Sequence, residues 1–514
     1  MHLRGLLLLG LLLRLVVASA PIRWLVQKTV PDDAFVYFQV ARNLIAGAPP
    51  SLDGVHFTSA YHPLWLGFVT CVASLIPGGG DRLITAGIVL AGLIDILNAY
   101  LVFLVARTLT ASERYAVVAC VLYLFNPYSL GLVLSGLETP VYVTTTLACF
   151  GVYLNLVSRP SRPWQPNLVL GGLAGLAMLA RTDAVFFHLA MLGHLILLGP
   201  GTRLERLKAT CALAFSSAVI VLPWLIYMHR ETGHLMQSSA HAIPFVNHAH
   251  AADLTRIARV ATSAWKTLKV LCYELPRSAG FGVPFALLLL CWIRKRRLPA
   301  VDRQASSQRL LLLAPPLAAL VALGFVHGGI RWVSREWYYV PVAWLGPLGF
   351  VLLYKEAAPY LRQRGRVALS TLVFLGTAIS AADVWVKGLF PWQVDMYDMA
   401  QELQRVVPRS DRPRIAGFNM HMQAYYNFNQ VMNLDGVGND EAADWVRERR
   451  VGDYLEVNGI EYLVDNDHYI KQRFAPFLPP DVLQQLGTVV IEKASWATAK
   501  KWRAPWRVYR LARR

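Results

Sequence analysis

The stretch VPDDAFVYFQVARNL, residues 30–44, sets two adjacent carboxylates, Asp32 and Asp33, a few residues beyond an apolar N-terminal run. Beyond them Phe35, Phe38, Val40, Leu44 and Ile45 recur as the apolar face of a helix. Acids at a membrane edge are costly unless paired or used, so each is a functional hypothesis by default. The plainer reading is that one Asp caps the helix and the other complements its dipole. The rest of the chain bears on the choice.

Of the 514 residues 55% are apolar and mean hydropathy is positive, which marks a polytopic membrane protein rather than a soluble domain. The formal charge of +18 raises the question of nucleic acid, but most of the excess Lys and Arg sits in short loops between apolar runs. Nucleic acid is therefore not an expected partner; the lipid bilayer is. No cysteine follows Cys291, so the polar C-terminal part has no disulfide framework and must rely on its own core. The N-terminal MHLRGLLLLGLLLRLVVASAP also has the build of a cleavable signal peptide. Arg14, which interrupts the run early, and the continuation through PIRWLV favour an uncleaved first span.

At about 20 apolar residues per crossing, the sequence predicts about eleven transmembrane helices. They fall near 5–26, 82–106, 115–135, 137–157, 167–181, 183–199, 208–228, 279–294, 309–327, 338–354 and 367–386. HPLWLGFVTCVASLI, 62–76, is short and aromatic and reads as a helix lying at the interface. With a cytoplasmic N-terminus, the basic loops 107–114, 158–163, 201–208, 293–309 and 354–366 share one side. The other side receives the first loop, 27–81, together with Glu138, Arg181 to Asp183, loop 229–278, Arg331 to Tyr339 and everything after about 387. Residues 1–386 thus form a membrane domain. Residues 387–514 form a small extracytoplasmic α/β domain, with strands in 414–420, 431–440, 458–465 and 488–493 and a helix in DEAADWVRERR.

An apolar first span, PDDAFVYFQVARNL, YHPLWLGFV, a span ending in AR, and SGLETPVYV follow one another in an order that resembles the multi-spanning C-type glycosyltransferases. These use lipid-phosphate-linked sugars and include the aminoarabinose, protein mannosyl and bacterial arabinofuranosyl transferases. The resemblance covers most of residues 1–200 and returns at REWYYVPVAWLGP. It implies that Asp32 and Asp33 are the family's first-loop acids and that Glu138 is the second acid, at the outer start of a later span.

The chemistry agrees with that implication. Sugar transfer from phosphate to a hydroxyl requires removal of the acceptor proton, for which Asp32 is the expected base. Two close, desolvated acids raise one another's pKa, which suits that task. Asp33 would orient the acceptor or bind a metal, and Glu138 would hold sugar hydroxyls or simply begin its helix. Arg181, in LAGLAMLARTDAVFF, and Arg335, just before Tyr338, would face the leaving phosphate with their planar forks. Alternatively, they neutralise Asp183 and Glu336. His62 stands where the aminoarabinose branch carries Lys, and supplies no fixed charge. His234, His241, His248 and His250 match no tight zinc signature. No cofactor is named by the sequence, and a divalent metal held by Asp32 or Asp33 is left open. In NLDGVGND, Asn433, Asp435 and Asn439 are turn formers whose alternative role is to cover the cleft.

The expected activity is transfer from a polyprenyl-phosphate sugar to a cell-envelope glycan, lipid or protein acceptor, on the outer face of a bacterial plasma membrane. The resemblance also implies inversion at the anomeric carbon. The rivals are a lipid or solute transporter and a catalytically inactive relative.

Overall fold

A computed structural model describes residues 3–158, 164–274, 310–358, 361–407, 413–478, 482, 486–493 and 504–511. The span expected at 279–294, the loop 293–309 and most of the loop 158–163 lie outside them.

The N-terminal run is two helices, α1 (Leu3–Ala18) and α2 (Ile22–Lys28), which meet at 111° rather than forming one straight span. Pro21, lacking an N–H, starts the second. Helix α3 (Asp33–Ile45) follows, then α4 (Pro63–Leu75), a 13-residue helix where the interfacial segment was expected. The long apolar helix α5 (Gly80–Thr110) leads to α6 (Glu113–Leu124) and α7 (Pro127–Val133), which bend by 63°. At that bend Asn126 Oδ1 accepts from the N–H groups of Tyr128 and Ser129, so a proper cap divides the expected 115–135 span. Then come α8 (Thr139–Val157), α9 (Pro166–Ala180), α10 (Ala184–Leu198) and α11 (Arg203–Thr232). Two further helices, α12 (Ser239–Ala249) and α13 (Arg256–Lys269), fold the long outer loop. Ala314–Ile330, Pro341–Ala357 and Gln363–Lys387 complete the helical part. By length and composition four of the described helices can cross a membrane, or six if each bent pair counts as one; four more apolar helices have 10–17 residues.

Helix α1 is tied to the bundle by Arg14. Its guanidinium, 1% exposed, donates to Asp95 of α5 at 2.7 Å, and Tyr123 and Asn98 donate to the same carboxylate. A buried arginine survives in apolar surroundings only with such a partner. Small residues bring α9 and α11 together: a Cβ on Gly175 would stand 2.7 Å from Ile220, and one on Gly171 would strike the Leu213 carbonyl.

The polar C-terminal part has five strands in the order β2-β1-β3-β5-β4. They are β1 (Ile415–Gly417), β2 (Val431–Asn433), β3 (Tyr462–Asn466), β4 (Leu486–Lys493) and β5 (Trp506–Leu511). The four expected strands are present; the fifth, β5, pairs antiparallel with β3 and β4. β1 runs parallel to both β2 and β3, and the expected helix is Ala442–Arg447. An apolar cluster around Phe418, Leu434, Leu463 and Phe474 lies within this part and takes in Val246 of α12. A second cluster is continuous with the helices: Met396, Tyr425 and Val464 belong with Phe35, Trp65 and Phe150. Arg42 of α3 reinforces that junction by donating to the Tyr425 carbonyl at 2.8 Å and lying over the Tyr425 and Phe428 rings.

Candidate functional site

Parallel strands open a crevice beyond their carboxyl ends, and here that crevice faces the helices. His421 follows β1, Asp435 follows β2 and Tyr469 follows β3, and all three line one cavity of about 510 Å³. The opposite wall carries Asp32, Asp33, His62, Glu138, Arg181, Asp183, Arg335 and Tyr338. Every site residue expected from sequence therefore converges on the same hollow.

Asp32, His62, Glu138 and Asp183 each stand at the residue before a helix, yet none of their side chains caps it. Asp32 therefore does not cap its helix with its side chain, while Asp33 lies in the first turn, where an acid complements the helix dipole. Asp32 Oδ1 instead accepts from Gln393 Nε2 at 2.9 Å, and its carboxylate lies 3.8 Å from His421 Nδ1. Asp33 is 3.5 Å from the same nitrogen. Burial, then the Asp33 charge, push the Asp32 pKa up to about 7, against the lowering pull of His421 and Arg335. His421 is 3% exposed, and neither ring nitrogen has a hydrogen-bond partner among the described residues. Burial acts to lower its pKa, but Asp33, Asp435 and Asp32 outweigh it and carry the value to about 9. The loop that delivers His421 is fixed by Asp465, whose Oδ2 accepts from the N–H groups of Phe418 and Asn419.

Glu138 is committed on both oxygens. Oε2 accepts from Tyr37 at 2.7 Å and Oε1 from Arg181, which also donates to Asp183 at 2.6 Å. The turn before it depends on Gly136, at φ +76°, whose carbonyl accepts from Trp65 Nε1. Arg181 is thus neutralised by two carboxylates. Arg335 differs: it lines the cavity with no salt bridge within 4 Å among the described residues, and although burial acts to lower its pKa, Tyr469, Tyr338, Glu336 and Asp33 hold it up. His62 Nδ1 meets Gln237 Nε2 at 3.1 Å, and burial lowers its pKa, which keeps the ring neutral.

The donor atoms of Asp32, Asp33 and His421 lie within 4.8 Å of one another and could hold a divalent cation, the only such group found among the described residues. The histidine-rich loop makes no comparable group. His248 and His250 instead donate to the carbonyls of Ile330 and Arg473, while the His234 and His241 rings lie against each other, tilted by 42°. In NLDGVGND both anticipated roles coexist: Asn433 and Asp435 bind turn N–H groups, and Asp435 also borders the cavity. His421, Tyr469, Gln393, Arg331 and Tyr37 were not singled out from sequence. A histidine directly after a short apolar strand, in RIAGFNMH, was the one legible signal for His421.

Residues 62–227 match the family model for dolichyl-phosphate-mannose-protein mannosyltransferases. The chain superposes on ArnT from Cupriavidus metallidurans bound to undecaprenyl phosphate. The TM-score is 0.58 at 14% identity, covering 99% of this chain and 98% of that one. The chain has the fold of the C-type membrane glycosyltransferases. The archaeal oligosaccharyltransferase AglB of Archaeoglobus fulgidus, in complex with an inhibitory peptide and a dolichol-phosphate, shares this C-type fold at TM-score 0.54 and 11% identity, over 94% of this chain and 72% of that one. The Archaeoglobus fulgidus oligosaccharyltransferase in complex with Zn and sulfate gives 0.52 at 13% identity, over 91% and 69%. By sequence, no curated protein matches the chain. The described residues are mainly helical with one small sheet, and four of their helices, or six counting each bent pair as one, are long and apolar enough to cross a membrane.

Proposed function

We propose that the protein transfers a sugar from a polyprenyl-phosphate donor to an acceptor on the outer face of the membrane. The observation that carries this reading is the single cavity shared by Asp32, a carboxyl group with a pKa near 7, and Arg335, an arginine without an ion pair among the described residues. The acceptor hydroxyl attacks the anomeric carbon as its proton passes to Asp32. The bond from that carbon to the phosphate oxygen breaks with its electron pair going to the phosphate, and the configuration inverts. Arg335 meets the growing phosphate charge with two charge-assisted hydrogen bonds. Asp33 orients the acceptor. Arg181, held between Glu138 and Asp183, assists at the phosphate end mainly by fixing Glu138, which faces the sugar together with Tyr37, His62 and Tyr338.

A divalent cation would be held by Asp32, Asp33 and His421, whose donor atoms lie close enough together to share one. Bound there, it would supply Lewis-acid stabilisation of negative charge. The polar C-terminal part, 387–514, roofs the cavity through His421, Asp435 and Tyr469, and the cell-envelope acceptor is a glycan, lipid or protein.

The test uses purified protein in vesicles with a panel of polyprenyl-phosphate sugars. Lipid phosphate should appear only when acceptor is present, and Asp32→Asn should stop its release while leaving the melting temperature unchanged. Full turnover by Asp32→Asn would remove Asp32 from the base role. Passage of the lipid-linked sugar across the vesicle without cleavage would favour the transporter.

A further inference from the structure

Helix α13, RIARVATSAWKTLK, is 14 residues long and buries none of them. Its apolar residues nevertheless form one continuous stripe. Ile257, Val260, Ala261, Ala264, Trp265 and Leu268 span about 140° of the helix at about 100° per residue, and Ile257, Val260, Trp265 and Leu268 are 52–83% exposed. The remaining arc carries Arg256, Arg259, Lys266 and Lys269 and no acid. Lys269 is paired with Glu274, and among the described residues the Arg259 guanidinium donates to the carbonyls of Ala252 and Leu254 and to no carboxylate. Beside this helix runs a trough of about 650 Å³, walled by Val260, Leu268, Leu271, Phe325 and Trp332, with Arg259 at its edge. Trp332 also lines the reaction cavity.

We propose that α13 and the trough bind an anionic phospholipid of the surrounding bilayer. One acyl chain lies in the trough, and the headgroup phosphate sits against Arg256 and Arg259. An apolar stripe flanked by basic residues lies in the plane of a membrane surface, and each basic residue near that surface favours anionic lipid about fivefold. A zwitterionic headgroup would not gain from the two arginines, and a water-facing helix would leave four large apolar side chains wet. The proposal rests on the membrane setting of the fold and not on the transfer reaction.

The test is tryptophan quenching by brominated lipids in nanodiscs containing the full chain, with Trp265→Phe subtracted to isolate Trp265. Brominated phosphatidylglycerol diluted into phosphatidylcholine should quench Trp265 several-fold more than brominated phosphatidylcholine at the same fraction. Arg256→Gln/Arg259→Gln should bring the two signals level, while circular dichroism and melting stay unchanged because both side chains are outside the core. Equal quenching by both lipids in the parent protein overturns the headgroup assignment. Quenching by aqueous acrylamide with none from either lipid overturns the docking altogether. Loss of the lipid signal on adding a polyprenyl phosphate assigns the trough to the donor's tail and likewise overturns the proposal. Loss of lipid quenching accompanied by dimers on cross-linking assigns the face to a second copy of the chain, which overturns it too.

Discussion

If Asp32 is the base, the rate must fall as pH drops through its pKa of about 7, because only the ionised carboxylate accepts the proton. The neighbouring charges fix how that limb moves. Asp33 places a negative charge within 4.8 Å of the Asp32 carboxylate. Coulomb's law at that separation gives about 3.5 kcal/mol for an effective dielectric constant of 20 and about 0.9 in water, or about 2.5 and 0.6 pKa units. The Asp33 side chain is 44% exposed, so screening puts the effect toward the lower end, at about one unit. Asp33→Asn should therefore shift the acidic limb of kcat/KM down, to near pH 6. His421→Gln removes a positive charge and should shift the limb upward. The assay is lipid-phosphate release from pH 5 to 9, in EDTA so that no cation contributes. A limb that stays put in both variants, or moves up in Asp33→Asn, would refute the assignment of Asp32 as base; Asp435, which lines the same cavity and also feels His421 and Asp33, is told apart by Asp435→Asn, which should leave the limb in place.

Arg335→Ala should lower kcat by about 10²–10³-fold with little change in KM, because the phosphate charge develops in the transition state; an effect on KM alone would place Arg335 in ground-state binding. Tyr37→Phe removes one hydrogen bond to Glu138 and should cost about fivefold to tenfold in kcat/KM, read in the same assay at saturating acceptor. Arg14→Leu leaves Asp95 buried without its counter-ion and should lower stability in detergent by about 3–5 kcal/mol, with Arg14→Leu/Asp95→Leu recovering much of it; equal loss in single and double variants would show that the orphaned Asp95 charge is not what costs stability. If a cation binds the acidic pair, calorimetry with Zn²⁺ or Mn²⁺ should give one site per chain that is lost in His421→Ala, whatever the activity.

The membrane half of the site was legible because its residues occupy positions with strong local rules. Asp32, Glu138 and Asp183 sit just ahead of apolar helices, where polar side chains meet the membrane boundary, and Arg181 and Arg335 lie at matching edges. Periodicity located most helices but not their bends, since a capping Asn126 or a Pro21 changes direction without changing hydropathy. Partners were harder to read than positions. Arg181 was expected to face phosphate or Asp183, and Glu138 joins the same pair from 43 residues away. The Arg14–Asp95 bond spans 81 residues, and an isolated acid within a long apolar run does not name its counter-ion. The roof was the least legible part. Short strands in a polar segment announce a sheet, but which edge of that sheet faces the membrane follows only from strand order. Because β1, β2 and β3 are parallel neighbours, the residues after each of them must emerge at one end. That end brings His421 within 4 Å of two aspartates nearly 400 positions earlier. The acid pair therefore owes its electrostatics to a segment that a truncation after residue 386 would remove. Such a truncation would leave Asp32 facing water without its Gln393 hydrogen bond and His421 charge, and the burial that lifts its pKa would go with them. A carboxylate lifted only by the screened Asp33 charge, with a pKa of about 4–5, would remain, too weak a base for a hydroxyl at neutral pH.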